Sequence, residues 1–490
     1  MKKRIDILID GTPLDLFPGT SFTLERFNPV FDFGTVQGSK VYRFTVPFSP
    51  TNNRIFKYAA DPQAVGDPQN YYTEKIADGD TIERGFTYLE KVTASGYEIS
   101  FGSNLGDFFG DYQDVPLNLL PFGTEALPAS HANIPVEKMA VGTGGVPQLV
   151  YALPTILNSQ FYSTNAVSGF TGKVNEYISG SGYKNGSPKT PMFSLHWVLR
   201  KLGEICGFRV QGEFMDDPAA QRLLLYNTFS LDGAPGSPAT VMDYRNHMPS
   251  DLSVRMLFLA LKLPPFGVTS FFDVQRRIIT MHYTESRLAL ATKLDITERT
   301  IPLILPGNIL DRRLELDWEL DTDDGLMKTV PPEFEKYTSA LHNDETLFPL
   351  KGKFSTLKMD ATGLPVTEQN GITSLTGQME KKFKPRLLYW HGLVAGVPTA
   401  KNEYGTTRLS FNGPNNLRNK FWKRYENFRG STFPASPNVQ LNSSELARLD
   451  FHRQGGSEMA VHIRGVDYFV QSIKASLPLS NVSVLEVFKR

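Results

Sequence analysis

Short runs in which every second side chain is apolar recur along this chain, and they constrain its fold more than any other feature. Ile5, Ile7 and Ile9 form the first run, and residues 314–320, Leu-Glu-Leu-Asp-Trp-Glu-Leu, alternate strictly. A period of two is typical of strands with one face in a core. The 34 Phe and 19 Tyr residues suit strands as well. The sequence therefore predicts a β-rich protein.

The length of the chain indicates more than one core. A chain of 490 residues exceeds what one ordinary hydrophobic core accommodates. We expect an α+β, β-rich fold whose parts are an N-terminal β-barrel-like domain (1–105), an extended loop-rich insertion (106–190), an α+β middle domain (191–300) and a C-terminal β-rich domain with an aromatic helix (301–490).

Local signals support this division. Asp10-Gly11 predicts a tight hairpin, and the strands that follow it could form a small barrel or a sandwich. Residues 106–190 are rich in Pro, Gly, Ser and Asn, so we expect them to pack on neighbouring parts, including neighbouring subunits. Ser194 is a plausible N-cap of a helix that Gly207 ends, and Ser253 can cap a second helix. Strand patterns follow both helices, which indicates an α+β middle domain.

Charge and cysteine content argue against several classes of protein. Lys plus Arg equals Asp plus Glu at 51 each, so the chain has no long-range attraction for nucleic acid or anionic membranes. The single cysteine, Cys206, excludes a disulfide or a thiolate metal cluster within the chain, which fits folding in a reducing cytoplasm. No apolar run approaches the roughly 20 residues that span a bilayer, so we expect no membrane insertion.

The sequence carries no recognisable catalytic signature. A phosphate loop, a His-Glu-x-x-His motif and a Gly-x-Ser-x-Gly elbow are all missing, and His452 and His462 have no third ligand at a sensible spacing. Residues 321–325, Asp-Thr-Asp-Asp-Gly, are the best metal candidate, but an EF-hand register fails, so we favour a solvated acidic turn. The basic cluster 381–386 could contact a phosphate backbone, although a solvated lead-in to a strand is favoured. We therefore predict no catalytic residue, cofactor or metal.

The last fifth of the chain is the most distinctive part. Residues 415–428 predict an aromatic helix, Asn442 begins a short second helix, and three strand patterns follow. Phe421, Trp422, Tyr425 and Phe428 are candidate interface residues. Burial of these aromatics in the core of the chain is the alternative, and for Trp422 it is the one we expect.

Three blocks together give the chain a family resemblance. They are residues 31–33 together with 38–56, which contain the Pro-Thr-Asn-Asn turn, the helix–strand pairs around 194–210 and 253–283, and the C-terminal pattern. This arrangement resembles the tail-hub or baseplate hub proteins of bacteriophages, especially those of the Bacteroidetes type. The resemblance implies small tail-tube-like β-barrel domains and a ring of three chains with pseudo-sixfold symmetry around a lumen. It implies no catalytic residue.

The function expected from this resemblance is structural. The protein would be a virion component of the tail, assembled in the host bacterial cytoplasm as a homotrimer. It would link the tail tube to the tail tip or spike, and its lumen would admit the tape-measure protein and the genome without sequence-specific binding.

Other functions stay open at this point. A non-catalytic receptor- or carbohydrate-binding tail protein and a distal tail ring protein fit the same composition. A cell-wall hydrolase of a baseplate is a third class, although no motif supports it.

Overall fold

The fold is that of a computed structural model. It describes residues 5–35, 40–63, 70–77, 80–102, 108–142, 145–232, 239–274, 276–291, 294–306, 310–340, 346–375, 383–453, 455–456, 458–479 and 482–490. Residues 38 and 39 of the first resemblance block and residues 381 and 382 of the basic cluster lie outside these ranges.

The N-terminal part is a run of antiparallel strands with one helix. Its elements are β1 (Ile5–Ile9), β2 (Thr12–Pro13), β3 (Phe22–Phe27), β4 (Lys40–Val46), α1 (Pro50–Ile55), β5 (Asn70–Ala77), β6 (Asp80–Thr93) and β7 (Gly96–Gly102). Asp10 and Gly11 both have positive φ in the β1–β2 hairpin, as their residue types predict.

The middle of the chain alternates short strands and helices. The strands are β8 (Thr124–Ala126), β9 (Glu137–Val141), β10 (Pro147–Ala152), β11 (Ile156–Leu157), β12 (Lys173–Val174), β13 (Tyr177–Ile178), β14 (Gly182–Tyr183), β15 (Met192–Ser194), β16 (Arg209–Gln211), β17 (Leu223–Tyr226), β18 (Val241–Asp243), β19 (Val268–Asp273) and β20 (Ile278–Tyr283). The helices are α2 (Leu195–Cys206), α3 (Glu213–Asp216), α4 (Val254–Lys262) and α5 (Thr284–Arg287).

The remainder of the chain is mainly β. The strands are β21 (Leu294–Asp295), β22 (Thr300–Pro306), β23 (Arg313–Trp318), β24 (Tyr337–Thr338), β25 (Leu347–Gly352), β26 (Ser355–Thr356), β27 (Lys358–Met359), β28 (Pro365–Val366), β29 (Arg386–Val394), β30 (Val397–Lys401), β31 (Glu403–Tyr404), β32 (Thr407–Arg408), β33 (Pro434–Val439), β34 (Ala460–Ile463), β35 (Val466–Leu477) and β36 (Ser483–Lys489). The helical elements are a π-helical turn (Arg418–Trp422), α6 (Lys423–Ser431) and α7 (Ser443–Arg448).

One sheet of thirteen strands joins the two ends of the chain. Its main path is β2-β1-β5-β6-β7-β4-β3-β35-β36-β33-β22. The join is the antiparallel pair β3–β35, which runs from Phe22 opposite Leu477 to Phe27 opposite Ser472. The path begins at β2 and ends at β22, so the described strands form a half-barrel. Residues predicted to belong to the first and last domains thus share one sheet, and the domain boundaries stay a prediction.

A second sheet, of seven strands, lies in the middle of the molecule. Its path is β26-β29-β17-β15-β10-β9, and β30 pairs with β29. Strands β9 and β10 come from the segment 106–190, so part of this loop-rich region is built into a sheet. A separate core that includes Ile156, Leu388 and Trp390 packs on this sheet, beside the main core of the chain.

The α+β, β-rich class is confirmed, and so are the helix boundaries that local residues specify. Ser194 caps α2 through Trp197 N, and Gly207 ends the helix in the left-handed region. Ser253 caps α4, and Asn442 forms a capping box with Glu445 at α7. Among the described residues, no helix combines the length and apolarity needed to cross a bilayer.

Candidate functional site

The four aromatic side chains predicted as interface candidates lie in the core of the chain. Phe421, Trp422, Tyr425 and Phe428 are all buried, and the expected burial of Trp422 is confirmed at 0% exposure. The sequence allowed these side chains to lie either in the core or at a subunit interface. In the structure each of them contacts other aromatic rings of the same chain. A role at a subunit interface stays a prediction.

The aromatic cluster connects distant segments. Its ring-to-ring distances are 5.9 Å for Trp422–Phe33, 5.4 Å for Phe428–Phe31, 5.6 Å for Phe428–Phe488 and 4.8 Å for Phe421–Tyr283. Such pairs stabilise beyond the area that they bury. The cluster therefore holds the N-terminal block, the middle helix–strand unit and the C-terminal sheet together.

The helix that carries these aromatics does not begin as an α-helix. Residues 418–422 form a π-helical turn before α6, and the adjacent side chains of Phe421 and Trp422 both lie in the core. The indole of Trp422 donates to the carbonyl of Pro265 over 3.0 Å. Gly267 lies under the ring at φ +62°, where a Cβ would come within 3.1 Å of the indole. The glycine is therefore needed for this close approach.

The acidic turn 321–325 is solvated only at Thr322 and Asp323, so the expectation of a solvated turn is wrong for Asp321 and Asp324. Asp321 and Asp324 are buried, and both face the fully buried guanidinium of Arg386. Its Nη1 donates to Asp324 Oδ2 over 2.6 Å. Asp321 also accepts from the amide of Gln369 over 2.9 Å. The basic cluster 381–386 was expected to be a solvated lead-in to a strand. That expectation is also wrong for its last residue, Arg386, because its side chain is fully buried.

The Asp324 carboxylate is held in its charged form. Burial alone would raise its pKa, but the Arg386 guanidinium, the Thr367 hydroxyl and the Glu368 N–H together lower the pKa below its ordinary value. These oxygens are therefore already occupied by protein donors. Within the described ranges, no group of three or more His, Cys, Asp or Glu side chains is arranged to hold a metal ion.

The two histidines weighed as ligands have separate roles. His452 Nδ1 accepts from the backbone N–H of Phe272 over 3.2 Å. His462 Nδ1 lies 2.7 Å from a carboxylate oxygen of Asp467. Each ring thus has its own protein partner, and neither belongs to a metal-binding group of the described residues.

A charged cluster that the sequence did not reveal lies where α7 meets β6. Arg26 forms a 2.8 Å ion pair with Glu83, and its Nη1 donates to the carbonyls of Leu446 and Leu449 at the end of α7. Lys75 is completely buried beside it, with Nζ 3.0 Å from the Phe101 ring centre. Burial holds the pKa of Lys75 well below its ordinary value. The cluster ties the first sheet to the C-terminal helix through charge as well as apolar contact.

Asp450 next to this cluster gives a testable pH dependence. Burial, assisted by Glu83 and opposed by Arg26, raises the pKa of Asp450 from 3.8 to about 6. Between these values the folded chain binds a proton that the unfolded chain does not, so this carboxyl lowers stability as pH rises. We expect Asp450→Asn to relieve that loss, because an amide oxygen can still accept from the N–H groups of His452 and Arg453.

The measurement is the melting temperature of wild type and Asp450→Asn across this pH range. The melting temperature of the variant minus that of wild type should become more positive as pH rises from 3.8 to about 6, and level off above that. The exposed Asp111→Asn is the matched control and should show a flat difference. A flat difference for Asp450→Asn would contradict the prediction.

A cleft beside the seven-stranded sheet was also missed by sequence reasoning. It has a volume of about 750 Å³ and lies between β9–β10, α2, α3 and β29. Trp390, Tyr404, His196, Arg200 and Met139 are among its lining residues. Because these residues come from separate parts of the sequence, no local motif could predict the cleft.

The chemistry of this cleft is set by a neutral histidine and by arginine. His196 Nε2 donates to the carbonyl of Met215 over 2.8 Å, and its Nδ1 lies 3.3 Å from the Gln148 amide nitrogen, which donates to it. Burial, assisted by Arg200 and opposed by the hydrogen bond to Met215, lowers the pKa of His196 to about 4. The ring is therefore neutral, and positive charge in this wall comes from arginine.

Known proteins were compared with the whole chain. No protein-family model and no curated protein matches it. Among solved structures, similar chains are a 43 kDa tail protein of prophage MuSo2 from Shewanella oneidensis (11% identity, TM-score 0.36, 99% of this chain and 98% of that chain), a tail protein from Neisseria meningitidis MC58 (10%, 0.36, 100% and 97%) and prophage tail protein gp18 from Listeria monocytogenes EGD-e (9%, 0.37, 99% and 94%).

Proposed function

We propose that the chain is a structural, non-enzymatic protein of a bacteriophage tail. Within the tail it would be the hub or baseplate component that links the tail tube to the tip or spike around a central channel. The observation that carries the proposal is the thirteen-stranded sheet, because it joins β4 of the first resemblance block to β33–β36 of the C-terminal block.

The three resemblance blocks meet in the folded chain. Strand β4 of the first block pairs with β3, and β3 pairs with β35 of the C-terminal block. Pro265 and Gly267 of the middle block contact the indole of Trp422. The three blocks thus form one structural unit, which supports the proposal that together they resemble one family of proteins.

The sheet edges are suited to assembly. Within the described residues, β2 pairs with β1 alone and β22 with β33 alone. An open edge offers backbone donors and acceptors that a strand of another subunit can complete. A head-to-tail contact of this kind gives a closed ring when its rotation closes. We infer that three copies form the ring.

Exposed aromatic side chains occur in the N-terminal part of the chain that builds one end of this sheet. Phe17, Tyr42, Phe48 and Tyr58 all lie in the first sixty residues and are exposed, Tyr58 at 57%. Aromatic residues are enriched at protein interfaces, where they supply anchors. The tail tube protein, the tip or spike protein and the tape-measure protein are the proposed partners. Zero net charge suits a channel through which DNA passes without sequence-specific binding.

The test is the assembly state of the purified chain. We expect a trimer by light scattering and rings with a central hole in negative-stain images. Phe17→Ser combined with Tyr58→Ser should lower the trimer fraction. Leu119→Ser is the matched control, since Leu119 is 63% exposed outside this segment and should leave the trimer unchanged.

Two outcomes would contradict the proposal. One is a monomer both in solution and in the assembled particle. The other is a monomer that binds one glycan specifically on an array, which would favour a receptor-binding tail protein.

A further inference from the structure

We propose that the cleft beside β9 binds an extended peptide segment of a partner protein, and that a carboxylate of this segment pairs with Arg200. This site is separate from the sheet edges of the proposed ring. It does not depend on the tail function, because the cleft and its charge are properties of the single chain.

Arg200 is the unused charge in the cleft. Its Nε is buried and has no hydrogen-bond partner, and no carboxylate of the described residues lies within ion-pair distance of its guanidinium. Arg200 as a whole is half-buried, but a buried donor without a partner is unfavourable, and more so on a charged group. A carboxylate that enters the cleft would supply the missing acceptor in the geometry that arginine prefers.

The other polar groups of the cleft are differently placed. Arg222 donates to the carbonyl of Trp390 over 3.2 Å and stacks on the Tyr404 ring at 5.1 Å. Glu137 accepts the indole N–H of Trp390 over 2.6 Å. Asp216 lines the exposed mouth of the cleft. Arg200 is therefore the group through which an anionic ligand is recognised.

The shape of the rim points to a peptide. Strand β9 pairs with β10 and has no second partner strand among the described residues. Glu137 and Met139, two residues apart on β9, both line the cleft, so a strand added at this edge would also place alternate side chains into it. Met139 and Val146 form an exposed apolar rim of the cleft, and Val141, further along β9, is 83% exposed. The expected segment is thus apolar at alternate positions and carries one acidic side chain or a C-terminal carboxylate.

The probe is a display library of random dodecapeptides, selected on the full-length chain. We expect the enriched peptides to carry an acid within an alternating apolar pattern. Arg200→Gln should weaken the binding of these peptides about tenfold to a hundredfold, the loss expected for a hydrogen bond to a charged group. Met139→Glu should weaken it too, because it places a carboxylate on the apolar rim.

The control is Arg209→Gln, which removes an exposed arginine on β16 and should leave peptide binding unchanged. Equal melting temperatures of wild type and Arg200→Gln would show that the cleft is intact. The proposal is overturned if no peptide is enriched, if the enriched peptides lack an acid, or if Arg200→Gln binds them as wild type does. A further outcome would also overturn the proposal. If Arg200→Gln loses self-association but still binds the peptides, the cleft binds a second copy of the chain.

Discussion

Arg386→Met should destabilise the chain by about 3–5 kcal/mol, the cost of removing one partner of a buried ion pair. The guanidinium of Arg386 is fully buried, pairs with Asp324 at 2.6 Å and lies 3.8 Å from Asp321. It also donates to Gln369 and covers the Tyr226 ring at 4.5 Å. Methionine fills part of this space but leaves two carboxylates without their counter-ion. Urea unfolding should show a lower midpoint with an unchanged dependence on urea.

Two further variants separate charge from packing. Asp324→Asn combined with Arg386→Met should lose less than the sum of the single losses, because the orphaned charge is removed along with its partner. Arg245→Met breaks an exposed 2.6 Å pair with Asp243 and should leave the midpoint nearly unchanged. A loss for Arg386→Met as small as that for Arg245→Met would contradict the assigned role.

Local sequence predicted the elements well where a few neighbouring residues decide the backbone. Ser194 and Gly207 delimit α2 because a side-chain oxygen caps one end and a left-handed residue ends the other. The Asp10-Gly11 hairpin and the alternating strand at 313–318 form for similarly local reasons. In such cases the residues that carry the sequence signal are the same few residues that determine the local backbone, so the element can be predicted.

Pairing between distant segments could not be derived in this way. The register of β3 against β35 depends on side chains more than 400 positions apart, and either strand alone fits several partners. The acidic turn shows the same limit, since its counter-ion Arg386 lies 62 residues beyond Asp324. A polar composition predicts solvent exposure unless that distant charge is known. The cleft around Arg200 joins segments that share no motif, so its residues were not found.

Trp422→Ala should cost about 3–5 kcal/mol, the range for truncating a large aromatic residue in a core. The indole is fully buried against Phe33, donates to Pro265 and lies directly over Gly267. Alanine would leave a cavity and an unpaired carbonyl at the point where three chain segments meet. Trp197→Ala is the matched control and should cost less, because Trp197 is only partly buried.

The same variant distinguishes a core role from an interface role for the aromatic cluster. If Trp422 stabilises the single chain, the unfolding midpoint of Trp422→Ala falls at every protein concentration, since no association equilibrium is involved. If Trp422 instead anchors a subunit contact, the variant shifts the monomer–oligomer equilibrium and the loss varies with concentration. Burial of Phe421, Tyr425 and Phe428 around the same helix favours the first result. Urea titrations over a hundredfold range of concentration, with light scattering on the same samples, therefore decide between the two roles.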